Sequence, residues 1–249
     1  MSLAKKYARE LNHKFNLLAT WMPNRSLSLG DYGYLKNSEF QYQGNLKDLG
    51  VELTDIRTGT PSDLSMTSGK SVTISHKIAG SGSVPGSSLG ATDVGLTVQF
   101  EKKKGVAFRA NGAQSHSLTN LPAILDQLLK HPDWNRDWVV ITEVISAESA
   151  TVLISEEGGT TVDLKAATDV GDKNLNIANA ELGFQVNVQG NLGFEMVSQG
   201  ATTPLFRANQ VRTGIFGSET FKSRSTEIPS EADLETQLVS LTIAEYLED

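Results

Sequence analysis

Two parts of the chain alternate apolar and polar side chains with a period of two, which predicts long half-buried strands. In 71–80 the apolar positions Val72, Ile74 and Ile78 share one parity, and in 91–100 Val94, Leu96, Val98 and Phe100 do the same. Between them, 81–90 is rich in Gly and Ser with one Pro, so the pair reads as a hairpin with a loose tip. The alternation returns in 161–170 with Val162 and Leu164, and in 181–189 with Leu182, Phe184, Val186 and Val188. A polar stretch, 171–179, separates these last two and predicts a second hairpin.

Other periods frame the hairpins. Leu3, Tyr7, Leu11 and Phe15 recur every four residues and predict a first helix over 3–15. Asn120 followed by Leu121-Pro122, with Ile124, Leu125, Leu128 and Leu129 at helical spacing, predicts a helix of about ten residues ended by His131-Pro132. The apolar run 138–144 reads as a buried central strand, 150–154 as a strand near it, and 205–211 as a further core strand. Short apolar pieces among Gly, Asn and Asp in 21–55 suggest strands and tight turns, whereas 58–70 reads as a polar loop. Ser230 with Asp233 resembles a capping pair for a last amphipathic helix carrying Leu234, Leu238 and Leu241. The expected organisation is a body over 1–216, a polar linker over 217–230 and an acidic helix over 231–249. The fold class is α+β: a twisted, mainly antiparallel sheet with long amphipathic hairpins and peripheral helices.

Charge sharpens this picture. The 249 residues hold 22 Lys and Arg against 29 Asp and Glu. Seven of those acids lie in 227–249, which has no Lys or Arg, so the remainder of the chain is balanced. These totals argue against a nucleic-acid partner. The first helix, by contrast, gathers Lys5, Lys6, Arg9 and Lys14 against Glu10 alone. That is either a solvated surface or an attraction for anionic lipid headgroups. The absence of Cys excludes disulfides, thiol catalysis and thiol-bound zinc, and His13, His76, His116 and His131 lack metal-site spacing. No metal and no cofactor is expected. The charged start and the lack of a long apolar run lead us to expect a cytoplasmic resting protein.

Catalytic motifs fail on context. Gly86-Ser87-Ser88-Leu89-Gly90 has the spacing of a nucleophile elbow, but that motif needs a strand before it and a helix after it, and here a strand follows. Gly69-Lys70-Ser71 resembles the end of a phosphate loop, but Leu64 occupies the position of its first glycine. We therefore expect no enzyme. A tilted strand of about ten residues, apolar on one face and polar on the other, is long enough to cross a bilayer, provided that copies join into a closed barrel. An ordinary soluble half-buried sheet of a non-enzymatic binding module shows the same alternation.

Asp137-Trp138-Val139-Val140-Ile141-Thr142-Glu143-Val144-Ile145, with Ala150-Thr151-Val152 after it, resembles the central strand of the gasdermin family. Thr203-Pro204-Leu205-Phe206-Arg207-Ala208-Asn209-Gln210-Val211 resembles the strand that closes that family's second hairpin, and Tyr7-Ala8-Arg9-Glu10-Leu11-Asn12 its basic first helix. The order of parts agrees over about 3–215. The resemblance implies a gasdermin N-terminal-domain-like fold and a pore former that inserts the two hairpins into a membrane, in cell death or antiviral defence. It gives Lys5, Lys6, Arg9 and Lys14 a contact with acidic lipids. Lys102, Lys103 and Lys104 join them by the same analogy, although a charged turn explains them equally well. It also implies a large homo-oligomer when active, an activating protease cutting in 217–230 near Lys222 or Arg224, and an inhibitory C-terminal segment. Bacterial members often carry an N-terminal Cys for acylation, and this chain has none.

Overall fold

A computed structural model describes residues 1–82, 84–90, 92–166, 177–178, 184–198, 200–215 and 234–247. Helix α1 (Leu3–Phe15) forms as its spacing predicts. Ser2 caps it by accepting the Lys5 N–H, and Asn16 ends it in the left-handed conformation. Its buried face is Ala4, Tyr7, Ala8 and Leu11. The two alanines let the helix lie close to the sheet, and Leu3 and Phe15 pack at the margins.

The strands are β1 (Leu18–Ala19), β2 (Asp31–Lys36), β3 (Glu39–Asn45), β4 (Ile56–Thr58), β5 (Ser62–Thr67), β6 (Val72–Lys77), β7 (Gly95–Phe100) and β8 (Val106–Leu118). Helix α2 (Leu121–Lys130) follows, then β9 (Val139–Ala147), β10 (Ser149–Ser155), β11 (Thr160–Lys165), β12 (Gln185–Gln189), β13 (Leu192–Ser198), β14 (Thr202–Ile215), β15 (Leu234–Ser240) and α3 (Ile243–Tyr246). Eleven strands make a large antiparallel sheet ordered β1-β14-β9-β8-β10-β13, with β15 on β14, β2 and β3 beside β9, and β4 and β5 on β8. Four make a second antiparallel sheet, β12-β11-β7-β6. The architecture is α+β and mainly antiparallel.

The main interior lies between α1 and the large sheet, built from Tyr7 and Leu11 with Phe108, Ile141, Val152, Ile154 and Phe206. A second interior lies under the small sheet. A third joins Ile124 and Leu128 of α2 to Tyr32, Leu46, Val140 and Val211, with Trp134 and Trp138 at its edge.

Two expectations are corrected. The stretch 58–70 is not a loop: β4 and β5 pair with β8 along its outer side. They are edge strands: Ile56 of β4 is exposed, the outward residues of β5 are polar, and only Leu64 and Met66 turn inward, so composition hides them. The C-terminal segment is not a helix over 231–249. Residues 234–240, with Leu234 and Leu238, form β15, paired with Asn209–Ile215 of β14, and only Ile243–Tyr246 is helical. The cause is the free edge of β14, whose N–H and C=O groups need partners more strongly than the tail prefers a helix.

Because Phe108 is 1% exposed and its ring meets Phe15 edge-on at 6.0 Å, Phe108→Ala should lower the unfolding free energy by about 3–5 kcal/mol in a denaturant titration.

Candidate functional site

The two hairpins predicted from alternation are one structure. β6 pairs with β7, β11 with β12, and β7 with β11, where Val98 faces Val162 and Leu96 faces Leu164. Each of these four strands continues directly from a strand of the large sheet. β5 runs into β6, β7 into β8, β10 into β11 and β12 into β13, across residues 68–71, 101–105, 156–159 and 190–191. The order is kept, since β5-β8-β10-β13 on one side becomes β6-β7-β11-β12 on the other. Four ribbons are therefore creased along one line.

Parity runs unbroken through the crease. Leu64 and Met66, then Val72 and Ile74; Leu96, Val98 and Phe100, then Val106, Phe108 and Ala110; Val152 and Ile154, then Val162 and Leu164; Val186 and Val188, then Phe194 and Met196: these positions are all even, while buried Ala107 and Leu153 are odd. Before the crease these side chains meet α1, and beyond it they turn onto Ala107 and Leu153. The crease itself is densely bonded. Val106 N–H donates to Ser68 Oγ (3.0 Å) and Glu101 N–H to Ser71 O (2.9 Å). Buried Ser155 accepts the Gly105 N–H (3.0 Å) and donates to Lys102 O (3.0 Å). Thr160 donates to Asn191 O (3.0 Å). Sequence reasoning missed Ser68, Ser155 and Thr160, because only the contact between distant turns gives them a role.

The expected lipid-facing residues divide by depth. Val72, Leu96, Val98, Phe100, Val162 and Leu164 are buried, Ile74, Val94, Phe184, Val186 and Val188 are half-buried against them, and Ile78 is 39% exposed past the end of β6. Leu182, Lys222 and Arg224 lie outside the described residues. The opposite, polar face is exposed at Thr73, Gln185, Asn187 and Gln189 but covered at its centre. Asp163 of β11, 1% exposed, accepts hydrogen bonds from Ser88 N–H (2.6 Å), Ser88 Oγ (2.6 Å), Ser87 Oγ (2.8 Å) and Thr97 Oγ1 (2.7 Å). Burial alone raises the Asp163 carboxyl, but the bonds from Ser88, Thr97 and Ser87 outweigh it and hold the group below the usual carboxylate range. Close by, Asp93 pairs with Lys165 at 2.7 Å, and buried Lys77 donates to Ser81 O (2.8 Å) and Gly82 O (3.0 Å).

The basic residues lie on α1 and on the turn between β7 and β8. Lys6 pairs with Glu10, Arg9 contacts Met1 Sδ at 3.5 Å, and Lys14 is exposed; Lys5 is half-buried. Lys104, in the left-handed conformation, donates to Met1 O at 2.5 Å and so brings the turn holding exposed Lys102 and Lys103 to the start of α1. The end of the tail reaches the same helix. Lys6, Arg9, Glu10, Asn12 and His13 line a shallow groove of about 520 Å³ with Met1 and Ile243. Leu241, Ile243 and Leu247 pack on the main interior, and Tyr246, 1% exposed, shares its one hydroxyl proton between Ala19 O (2.6 Å) and Ser38 O (2.7 Å), its ring edge-on to Phe206 at 6.0 Å. Burial, with Glu39 nearby, pushes the Tyr246 phenol well above its ordinary value.

Ser88 sits on a loop, bonded to Asp163 and to Asn187 (2.8 Å), with no histidine among its hydrogen-bond partners. Among the described residues no three His, Asp or Glu side chains are grouped to hold a metal, and no helix is long and apolar enough to cross a membrane. A scan against models of known protein families finds no match, and a search of the curated proteins finds none either.

Two outcomes follow from these contacts. Tyr246→Phe leaves the Ala19 and Ser38 carbonyls short of a donor and should lower stability by about 1–3 kcal/mol, read by thermal or denaturant unfolding. A lowered carboxylate stabilises the fold fully above the ordinary Asp value of about 4, and that contribution fades as pH falls through the lowered value. Exchange of the Ser88 amide, corrected for its intrinsic pH dependence, should therefore quicken below pH about 4 in the parent, and Asp163→Asn should abolish that response, whereas the Gly90 amide, which donates to the likewise lowered Asp93, keeps its own.

Proposed function

We propose that this chain is a gasdermin-like pore-forming protein, with a gasdermin N-terminal-domain-like fold, that oligomerises in an acidic-lipid membrane and permeabilises it through the two hairpins. The observation that carries the reading is the crease: four ribbons, in one order, whose apolar side chains keep even parity from the small sheet across the turns to the face under α1. Straightening them aligns Val72, Val98, Val162 and Val186 with the face that now meets α1 and leaves Thr73, Gln99, Asp163 and Asn187 on the other. Lipid needs the first surface and a water-filled lumen the second. Neighbours in the small sheet are all antiparallel, so β6 and β12 point in opposite senses. Copies joined β12 to β6 then stay antiparallel around a ring, and a closed ring satisfies every backbone group in lipid.

The remaining parts fit around this. Lys5, Lys6, Arg9 and Lys14, with Lys102–Lys104 beside the start of α1, form the contact with acidic headgroups. The tail, taken as 231–249, acts as the inhibitor: its residues 234–240 cover the edge of β14 and Ile243 lines the groove beside α1, and a protease cutting in 217–230 frees it. The protein rests in the cytoplasm and acts at the membrane, without enzymatic activity, cofactor or nucleic acid. A role in cell death or antiviral defence rests on the resemblance alone.

The deep burial of Leu96, Val98, Phe100, Val162 and Leu164 favours a second reading, a soluble binding module whose small sheet never leaves the body. Vesicle leakage separates the two. The full chain, carrying an inserted protease site within 217–230, should release dye from acidic-lipid vesicles once cut and not before. A folded, cut protein that leaks no vesicle of any composition would exclude the pore. Phe184→Asp and Val186→Asp add a finer test: soluble unfolding marks these side chains as interior, whereas intact folding with leakage abolished marks them as lipid-facing.

A further inference from the structure

The strands of the small sheet are too short for the task just described. β6, β7 and β11 have six residues and β12 has five, whereas a tilted strand needs about 9–11 to cross the hydrocarbon layer. The residues that would lengthen the first hairpin lie between β6 and β7, and part of this segment runs the wrong way. Residues 84–90 fold back over the polar face of their own sheet. Pro85 O accepts Gln99 Nε2 at 2.6 Å on β7, Ser87 and Ser88 bind Asp163 on β11, and Ser88 Oγ accepts Asn187 Nδ2 at 2.8 Å on β12. Leu89 is buried there. One loop of hairpin 1 thus grips three strands, two of them in hairpin 2.

We propose that residues 84–90 are a strap, anchored on Asp163, that locks the hairpins in their short, folded-back form and must lift before the first hairpin can lengthen. Asp163 suits an anchor that releases. Its charge makes no ion pair among the described residues; the strap holds it by the Ser87 and Ser88 hydroxyls and the Ser88 N–H, groups that water replaces once the strap lifts, while the Thr97 hydroxyl of β7 stays in place. Core contacts such as Val98 against Val162 have no such substitute. The strap binds β7, β11 and β12 and the tail binds β14, so cutting the tail leaves the strap closed. The strap stands on the contacts above, and its part in activation rests on the pore reading.

Amide hydrogen exchange of the full, uncut chain tests the strap by itself. In the double variant Ser87→Ala/Ser88→Ala, exchange over 84–90 should quicken at least tenfold while β9 and β14 keep their protection. Gln99→Ala, which removes only the Pro85 contact, should give a smaller rise in the same segment and serves in place of the double variant if that one does not fold. Unchanged protection of the backbone amide at position 88 would overturn the strap. The lock is then read on acidic-lipid vesicles with chain cut in 217–230. A variant with an opened strap should leak at least threefold faster than the parent. Equal rates would overturn the lock and leave the pore reading standing, whereas leakage from neither protein removes the pore reading and leaves the strap to the exchange result.

Discussion

Each of four ribbons contributes to two hydrophobic interiors at once, and the backbone pairing that holds one sheet is continuous with the pairing that holds the other. β8 cannot shift against β10 without disturbing β7 against β11, because only five residues part β7 from β8 and four part β10 from β11. The crease must therefore satisfy its own polar groups. Ser68, Ser155 and Thr160 do this by bonding the backbone of the neighbouring turn. Without them each turn would bury unpaired N–H and C=O groups, at a cost that small side-chain contacts do not offset.

The same requirement governs the tail. On the side away from β9, the long strand β14 meets β1 at Leu205 and Phe206, and then β15 from Asn209 onward. An edge shared between two short strands from opposite parts of the chain is well covered only while both stay in place. Tyr246 strengthens that arrangement from beyond the strand, since its hydroxyl bonds Ala19 in β1 and Ser38 in the β2–β3 turn. The last helix is four residues long, and its position depends on one aromatic anchor rather than on helical stability.

Local periodicity made much of this readable. α1, α2 and both hairpins follow from side-chain spacing, as does the core strand β9, because each pattern lies within one short window. The joining of the hairpins is different. Nothing local in 95–100 announces that its partner lies in 160–165, and the alternation of β7 and β11 suits solvent on the polar face as well as a covering loop. Asp163 shows the limit clearly: in sequence it is one polar residue in an alternating strand, and its meaning comes from Ser88, 75 residues away. β5 escaped notice because an edge strand with two inward apolar residues resembles a loop, and β15 because strand pairing there overrides the helical spacing of Leu234, Leu238 and Leu241.

The line of turns also constrains substitution. Gly158 leaves no room for a side chain, since a Cβ there would stand 2.7 Å from the Glu101 carbonyl, and Gly190 holds a φ of +97° beside Thr160. Each position is crowded by the ribbon next to it rather than by its own. A mutational map of the chain would thus show intolerance at two turns separate in sequence that lie along a single seam in space, and a change accommodated in one turn would need its compensation in the next turn across.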